Sequence, residues 1–418
     1  MFAASQVLAH VRQFGGTGSD TLDGGTVSVW LAIQNQRARI RRTRAAGRRP
    51  SPNAAPGSFR PDIEGLRAVA VVLVILDHLA GWPSGGFVGV DVFFVISGFL
   101  ITGLLMSDSD RRGRISFKNF YARRARRILP VALTVLAVVT VASRLAYPGT
   151  TRVKETLTDV GWAMGFGANI HFSAIGTDYF ETFRAPSLVQ HFWSLAVEEQ
   201  FYLVWPIVIL IVLTILGGLL PQRRAHLTLL AVIGAGSVSS FVWGLQQTAT
   251  TPSTAYFSTP VRAWELGVGA FVAVASTCFQ GWFQRLGKVA GPLSLVGLIG
   301  ILAGAFVVKS SSGFPVPEAA LPVLATALVI IAGIGASTQG WDAILTNPVS
   351  RYLGRISYSL YLYHLPVILM TAFLLSHFRW RVQLITEFVF SIVFATLSYK
   401  FVEKPFLRLK RRFERVKT

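Results

Sequence analysis

Apolar stretches close to 20 residues long recur along this chain from Leu66 onward. An α-helix of that length crosses the roughly 30 Å hydrocarbon core of a bilayer with its main-chain polar groups paired internally. The chain is 52% hydrophobic and only 14% charged, whereas soluble domains carry about 25% charged residues. A soluble protein is therefore excluded, and Cys278, the only cysteine, excludes a disulfide scaffold. We predict an all-α polytopic membrane protein, a bundle of about ten transmembrane helices near 66–83, 86–106, 128–147, 190–219, 227–247, 259–279, 290–308, 320–338, 356–375 and 383–402.

Basic residues set the predicted orientation of this bundle. The chain has 40 Lys+Arg against 20 Asp+Glu, and these bases concentrate at 1–60, 107–127, 221–226 and 403–418. Threading ten spans puts all four segments on one side, which the positive-inside bias makes the cytoplasmic side. We therefore predict that both termini are cytoplasmic. Bases clustered between apolar spans also argue against a nucleic-acid partner.

The sequence divides into three predicted regions. Residues 1–59 are a basic, disordered cytoplasmic arm that either contacts anionic lipid headgroups or is an inert extension. Residues 60–406 form the transmembrane domain, and 407–418 form a basic cytoplasmic tail. The outer segment 148–189 is too long for a simple turn. Within that segment, 157–172 could span the bilayer, re-enter it or lie in the interface.

Ionisable side chains interrupt several predicted spans, and each one costs a few kcal/mol unless it has a function or a partner. His78 lies deep in the first span, Asp91 in the second, Glu198 in the fourth, and Arg262 and Glu265 in the sixth. At 1.5 Å per residue, we place them at similar depths in the outer half of the bundle. We expect them to face one pocket.

A histidine beside a carboxylate and shielded from water is suited to general-base work. We predict His78 as the catalytic base and Glu198 as the catalytic acidic residue that orients it. Packing alternatives stay open: His78 as a satisfied core histidine, Glu198 and Glu199 as polar helix contacts, and Arg262 with Glu265 as an i,i+3 pair. The sequence has no Cys/His cluster, no G-x-S-x-G turn and no Walker or GxGxxG loop, so we predict no metal and no bound cofactor.

The same pocket has further candidate residues. His364 is interpreted either as a second pocket wall or as a packing residue. We predict that six side chains line the pocket or bind the acceptor: Asp91, Trp193, Glu199, Arg262, Glu265 and His364.

A second group of charged residues lies on the predicted cytoplasmic side. Residues 123–127 include four arginines, and Arg67 lies at the start of the first span. Arginines at membrane surfaces often anchor topology and contact lipids. Arg124 and Arg127, three residues apart on one helix face, also present two forked donors that suit a polyphosphate. Both interpretations stay open.

Six short segments, in this order, carry a resemblance to a known family. They are 60–70 (RPDIEGLRAVA), 93–101 (FFVISGFLI), 123–130 (RRARRILP), 193–202 (WSLAVEEQFY), 356–364 (ISYSLYLYH) and 403–405 (EKP). Together with the step from Arg67 to His78, they resemble the acyltransferase-3 family of bacterial integral membrane O-acyltransferases. The resemblance runs from about 60 to 406.

This resemblance implies acylation, most often acetylation, of an envelope sugar, polysaccharide, glycolipid or secondary metabolite at the bacterial inner (plasma) membrane. It implies acetyl-CoA or another acyl-CoA as co-substrate. It also implies that His78 is the catalytic histidine and that Arg67, Arg124 and Arg127 bind the acyl-CoA. Glu198 stands where the family keeps an acidic residue.

These features combine into one hypothesis, in which acyl-CoA docks from the cytoplasm and an acceptor hydroxyl arrives from outside. Many relatives add an extracytoplasmic SGNH hydrolase-like domain. We expect none here, so that a handover to such a domain occurs in another protein or not at all. The alternative is a transporter or flippase of an envelope lipid or glycan precursor, whose intramembrane charges would relay protons or bind a headgroup. A non-catalytic membrane scaffold is a third interpretation.

Overall fold

The computed structural model describes residues 60–112, 115–180, 186–213, 221–309, 313–335 and 343–415, and these residues belong to one compact unit. They form helices and no strand, which confirms the all-α prediction. The predicted arm at 1–59 lies outside the described residues. The cytoplasmic location of both termini stays a prediction.

A helix lies at each of the ten predicted spans. Eight of these helices are long and apolar enough to cross a membrane. The ten are α1 (Pro61–Ala80), α2 (Gly89–Arg112), α3 (Phe117–Ala146), α6 (Phe192–Ile211), α7 (Gln222–Thr250), α9 (Thr259–Cys278), α11 (Ala290–Val307), α12 (Ala320–Gly335), α14 (Pro348–Leu374) and α15 (Trp380–Ser398).

The two helices that fall outside the eight do so for different reasons. Helix α1 has 20 residues, but its polar members include Asp62, Glu64, Arg67 and Asp77. Helix α12 has 16 residues, which at 1.5 Å each amount to about 24 Å. Both nevertheless pack inside the bundle, α1 against α14 and α2, and α12 against α11.

Short helices complete the described chain. They are α4 (Thr151–Met164), α5 (Ala168–Ala174), α8 (Pro252–Phe257), α10 (Gln280–Arg285), α13 (Ala343–Thr346) and α16 (Lys404–Arg415).

The outer segment does not form a single span. Helices α4 and α5 have 14 and 7 residues, or about 21 and 10 Å. Gly165 ends the first helix, and Phe166 has a positive φ of 53°. Because 157–172 is broken at this point, neither piece reaches across a bilayer.

The two ends of α1 are set by local sequence. Pro61 occupies the first turn, where a missing N–H costs nothing, and Asp62 and Glu64 complement the helix dipole there. At the other end, Gly81 adopts a left-handed conformation with φ 61° and donates to the Asp77 carbonyl. Helix α1 therefore ends at Ala80, two residues after His78.

Glycines bring the central helices into close contact. A Cβ built on Gly354 of α14 would lie 1.8 Å from the Glu64 carbonyl oxygen of α1, and one on Gly269 of α9 would lie 1.9 Å from the Val95 oxygen of α2. Without a strong hydrophobic drive inside lipid, helix association depends on such close packing. These contacts hold α1, α2, α9 and α14 around the candidate site.

Candidate active site

His78 lies half-buried near the end of α1. Its Nδ1 is 2.7 Å from the Val74 carbonyl oxygen, and its Nε2 is 3.1 Å from the Tyr179 hydroxyl. A carbonyl can only accept, so Nδ1 carries the proton and Nε2 holds the lone pair, onto which Tyr179 donates. The structure therefore supplies a neutral imidazole whose basic nitrogen already contacts a hydroxyl group.

Glu198 lies apart from this pair. Its carboxylate accepts hydrogen bonds from Ser97 Oγ at 2.8 Å and from the Tyr202 hydroxyl at 3.3 Å. Tyr202 is four residues further along α6, so it reaches back onto the same helix face. The structure does not join Glu198 to His78 by a hydrogen bond, and the Val74 carbonyl orients the imidazole instead.

Two more histidines continue from His78 in a row. The His364 ring centroid is 5.1 Å from that of His78, and the His191 centroid is 5.3 Å from that of His364. His364 donates from Nδ1 to the Tyr361 carbonyl, and His191 donates from Nε2 to the Leu362 carbonyl at 3.0 Å. Their other nitrogens are buried without a hydrogen-bond partner. Each of the three imidazoles is thus fixed by a main-chain carbonyl.

The carbonyl that binds His191 is available because of a proline. Pro366 lies inside α14 and has no N–H to donate to Leu362, four residues earlier. His191 supplies the missing donor from α6. Our sequence reasoning missed His191, and the signal that could have found it is a helix-interior proline paired with a polar residue on a neighbouring span.

Aromatic side chains pack around Tyr179 beside His78. Tyr179 stacks on Tyr256 of α8 with ring centroids 4.3 Å apart, and Trp193 of α6 lies 4.7 Å from Tyr256 and 6.3 Å from Tyr179. Tyr179 follows α5 in the outer segment, outside the spans, and burial raises the pKa of its phenol. Tyr179 therefore stays a neutral donor. The Trp193 indole N–H is buried without a partner.

The buried ions Asp91, Arg262 and Glu265 form one group. Arg262 Nη2 lies 2.6 Å from Asp91 Oδ1, and Nη1 lies 2.9 Å from Glu265 Oε1, with all three side chains at most 1% exposed. The guanidinium also lies 5.5 Å from the Trp193 ring centroid. The i,i+3 pairing alternative therefore matches the geometry, and this group packs behind the aromatic wall rather than against His78.

The arginines form a separate group on α1 and α3. Arg124 lies over the Tyr202 ring at 3.8 Å and is 3.7 Å from Glu199 Oε1. Arg67 and Arg127 are half-buried and close enough to repel each other electrostatically. Two cations this close to each other are stabilised by anionic groups nearby.

The arginine site also includes a carboxylate, and it lies on the same helix as His78. Glu403, which accepts from Ser359 Oγ at 2.9 Å, interacts electrostatically with Arg67 and Arg127. Arg67 and His78 lie on one helix, eleven residues or about 16 Å apart. The arginine site and the histidine site therefore lie about 16 Å apart along one helix.

Within the described parts of the chain, no group of three His, Cys, Asp or Glu side chains is arranged to hold a metal ion. The three histidines, each with one nitrogen on a main-chain carbonyl, form a neutral polar row instead.

The geometry combines a candidate base in contact with a hydroxyl group and a cationic site at the other end of the same helix. Residues 60–399 match the acyltransferase-3 family model, which describes an acyltransferase domain. The chain belongs to the acyltransferase-3 family. No solved structure is significantly similar to it.

The chain is similar to curated proteins from several bacteria. The chain is 34% identical over 362 residues to the peptidoglycan O-acetyltransferase OatA of Listeria monocytogenes, covering 83% of this chain and 56% of the relative. It is 32% identical over 364 residues to a provisionally named O-acetyltransferase of Staphylococcus aureus, with 83% and 57% coverage. It is 31% identical over 362 residues to a provisionally named peptidoglycan O-acetyltransferase of Bacillus subtilis, with 83% and 55% coverage. The chain thus spans little more than half the length of the curated relatives it matches.

Proposed function

We propose that this protein is a multi-pass O-acetyltransferase of the bacterial plasma membrane, which moves an acetyl group from acetyl-CoA to a hydroxyl group of a cell-envelope glycan. The observation that carries this proposal is the contact between His78 Nε2 and the Tyr179 hydroxyl. A neutral imidazole with its lone pair on a hydroxyl group is the arrangement that general-base activation requires.

The donor site of this proposal is the arginine group. Arg67 and Arg127 add positive charge beside the Glu403 carboxylate, and guanidinium forks suit phosphate oxygens. We assign the phosphates of acetyl-CoA to Arg67, Arg124 and Arg127. The thioester arm then extends along α1 toward His78, about 16 Å away.

The reaction conserves protons and charge. His78 Nε2 takes the proton of the reacting hydroxyl, whose oxygen attacks the thioester carbonyl carbon. The carbon–sulfur bond then breaks, and His78 returns the proton to the CoA thiolate, leaving an ester and free CoA. The Tyr179 hydroxyl marks the position that a reacting hydroxyl takes at Nε2.

We assign a glycan as the acceptor because two of the relatives above are named for peptidoglycan O-acetylation. A glycolipid or another polysaccharide would use the same chemistry. The test is to reconstitute the chain in liposomes with radiolabelled acetyl-CoA and to offer peptidoglycan fragments, an envelope glycolipid and a polysaccharide in parallel. Label on the peptidoglycan fragments supports the proposal, label on another acceptor changes its substrate, and no ester product with folded protein overturns it.

A further inference from the structure

Acyl transfer requires a hydrogen-bond donor in addition to a base. When the hydroxyl attacks, the thioester carbonyl oxygen gains negative charge, and a preorganised N–H group aimed at that oxygen stabilises it. His78 cannot serve as this donor, because its one N–H is already bound to the Val74 carbonyl. His364 cannot either, because its N–H is bound to the Tyr361 carbonyl.

Trp193 has an N–H group that the fold does not use. Its side chain is fully buried at 0% exposure, and Nε1 has no hydrogen-bond partner. Most buried polar groups in proteins are paired, so an unpaired one calls for an explanation such as a catalytic role. The ring contacts Tyr179, which in turn bonds to His78.

Two other unpaired donors contact different groups and not Tyr179. Arg262 Nε is buried without a hydrogen bond, but its guanidinium is held by Asp91 and Glu265 behind the aromatic wall. Trp264 also has an unpaired Nε1, but its ring contacts Phe241. Of the unpaired buried donors in the described residues, Trp193 Nε1 is the one whose ring contacts Tyr179.

The Trp193 ring is held from several sides. Phe94 and Phe257 approach it edge-on at 6.0 and 5.7 Å, and the Arg262 guanidinium lies 5.5 Å from its centroid. A donor fixed in this way needs little reorganisation when charge develops on the substrate.

We propose that Trp193 is a catalytic residue whose indole N–H donates a hydrogen bond to the thioester carbonyl oxygen as it becomes the tetrahedral oxyanion. No proton leaves Nε1. The hydroxyl proton moves to His78 and then to the departing CoA thiolate, as in the reaction above. This inference rests on the proposed acyltransferase function and adds the residue that stabilises its transition state.

The test compares Trp193→Phe with Trp264→Phe in the full chain reconstituted in liposomes. Each change removes one buried, unpaired indole N–H and keeps an aromatic ring. With radiolabelled acetyl-CoA and peptidoglycan fragments, we expect Trp193→Phe to lower kcat about 100-fold, the loss typical of one oxyanion donor. The KM for acetyl-CoA should stay within about twofold, and Trp264→Phe should match the parent in both constants. A Trp193→Phe variant with parental kcat overturns the proposal.

A second substitution separates the N–H from packing. Benzothienylalanine, introduced at position 193 by codon suppression, places sulfur where the indole has N–H and keeps the bicyclic shape. We expect the same roughly 100-fold loss of kcat from this residue, and a kcat near that of the parent overturns the assignment. Failure of the proposed function would look different, because the parent itself would then form no ester or His78→Ala would remain active.

Discussion

The imidazole of His78 is fixed by the main-chain carbonyl of Val74, which accepts a hydrogen bond from Nδ1 at a distance of 2.7 Å. Val74 lies one turn earlier on the same helix, so the orientation of the ring is built into α1. The carbonyl does the positioning that a carboxylate does in many other catalytic histidine sites. It also leaves Nε2 as the nitrogen that holds the lone pair.

Tyr179→Phe removes the hydroxyl that contacts His78 Nε2. We expect the rate of acetyl transfer to fall about tenfold, because this hydroxyl holds the Nε2 edge of the imidazole in place until the reacting hydroxyl takes its position. The rate is measured with labelled acetyl-CoA in liposomes. Tyr147→Phe is the control, since Tyr147 contacts Phe373 and takes no part in the site. Equal rates in both variants would remove Tyr179 from the mechanism.

Arg127→Ala should act on donor binding. Loss of one guanidinium from a phosphate site removes a charge-assisted hydrogen bond, so we expect the KM for acetyl-CoA to rise about tenfold or more. Arg123→Ala is the matched control, because Arg123 is paired with Asp108 at 2.8 Å. If both variants keep the parental KM, the arginine group anchors topology and does not bind the donor.

His191→Phe should destabilise the fold through the Leu362 carbonyl. Removing the donor that replaces the one missing at Pro366 leaves the Leu362 carbonyl without this hydrogen bond, which costs about 1–3 kcal/mol. The free energy of unfolding is measured by denaturant titration in detergent. In a Pro366→Ala background, residue 366 supplies its own N–H, so the cost of His191→Phe should fall. Equal costs in both backgrounds would contradict this coupling.

Arg262→Met should destabilise the protein strongly. The change leaves Asp91 and Glu265 buried without a counter-charge, and breaking a buried ion group from one side costs about 3–5 kcal/mol. Adding Asp91→Asn and Glu265→Gln removes both charges, and we expect this triple variant to recover most of the stability. Unfolding midpoints of the single and triple variants give the test. A single variant as stable as the parent would show that the three charges do not depend on each other.

The fold was largely predictable because span length and apolarity are local properties of the sequence. The outer segment was not, because its helices are short and its break at Gly165 carries no periodic signal. Likewise, Arg262 and Glu265 could be paired from their spacing on one helix. Asp91 contacts Arg262 because glycines allow close packing of α2 and α9. The predicted depths of Asp91 and Arg262 are similar, which agrees with this contact.

Depth was not sufficient for Glu198. Glu198 lies seven residues, or about 10 Å, from His191 of the histidine row. Its carboxylate binds Ser97 and Tyr202 and interacts electrostatically with Arg67 and Arg124 at the arginine end. Sequence reasoning on single helices does not fix how far neighbouring helices are shifted along one another. Tyr179 escaped notice for another reason, because it lies in an irregular stretch and reaches His78 only through tertiary structure.

The most direct test of the account is acetyl transfer by His78→Ala. The parent and the variant are reconstituted in liposomes with radiolabelled acetyl-CoA and peptidoglycan fragments, and equal folded fractions are verified by their unfolding midpoints. We predict labelled ester and free CoA from the parent and neither above background from His78→Ala. Parental turnover by the folded variant would contradict the account, because no other described residue holds a basic nitrogen against a hydroxyl group at this position.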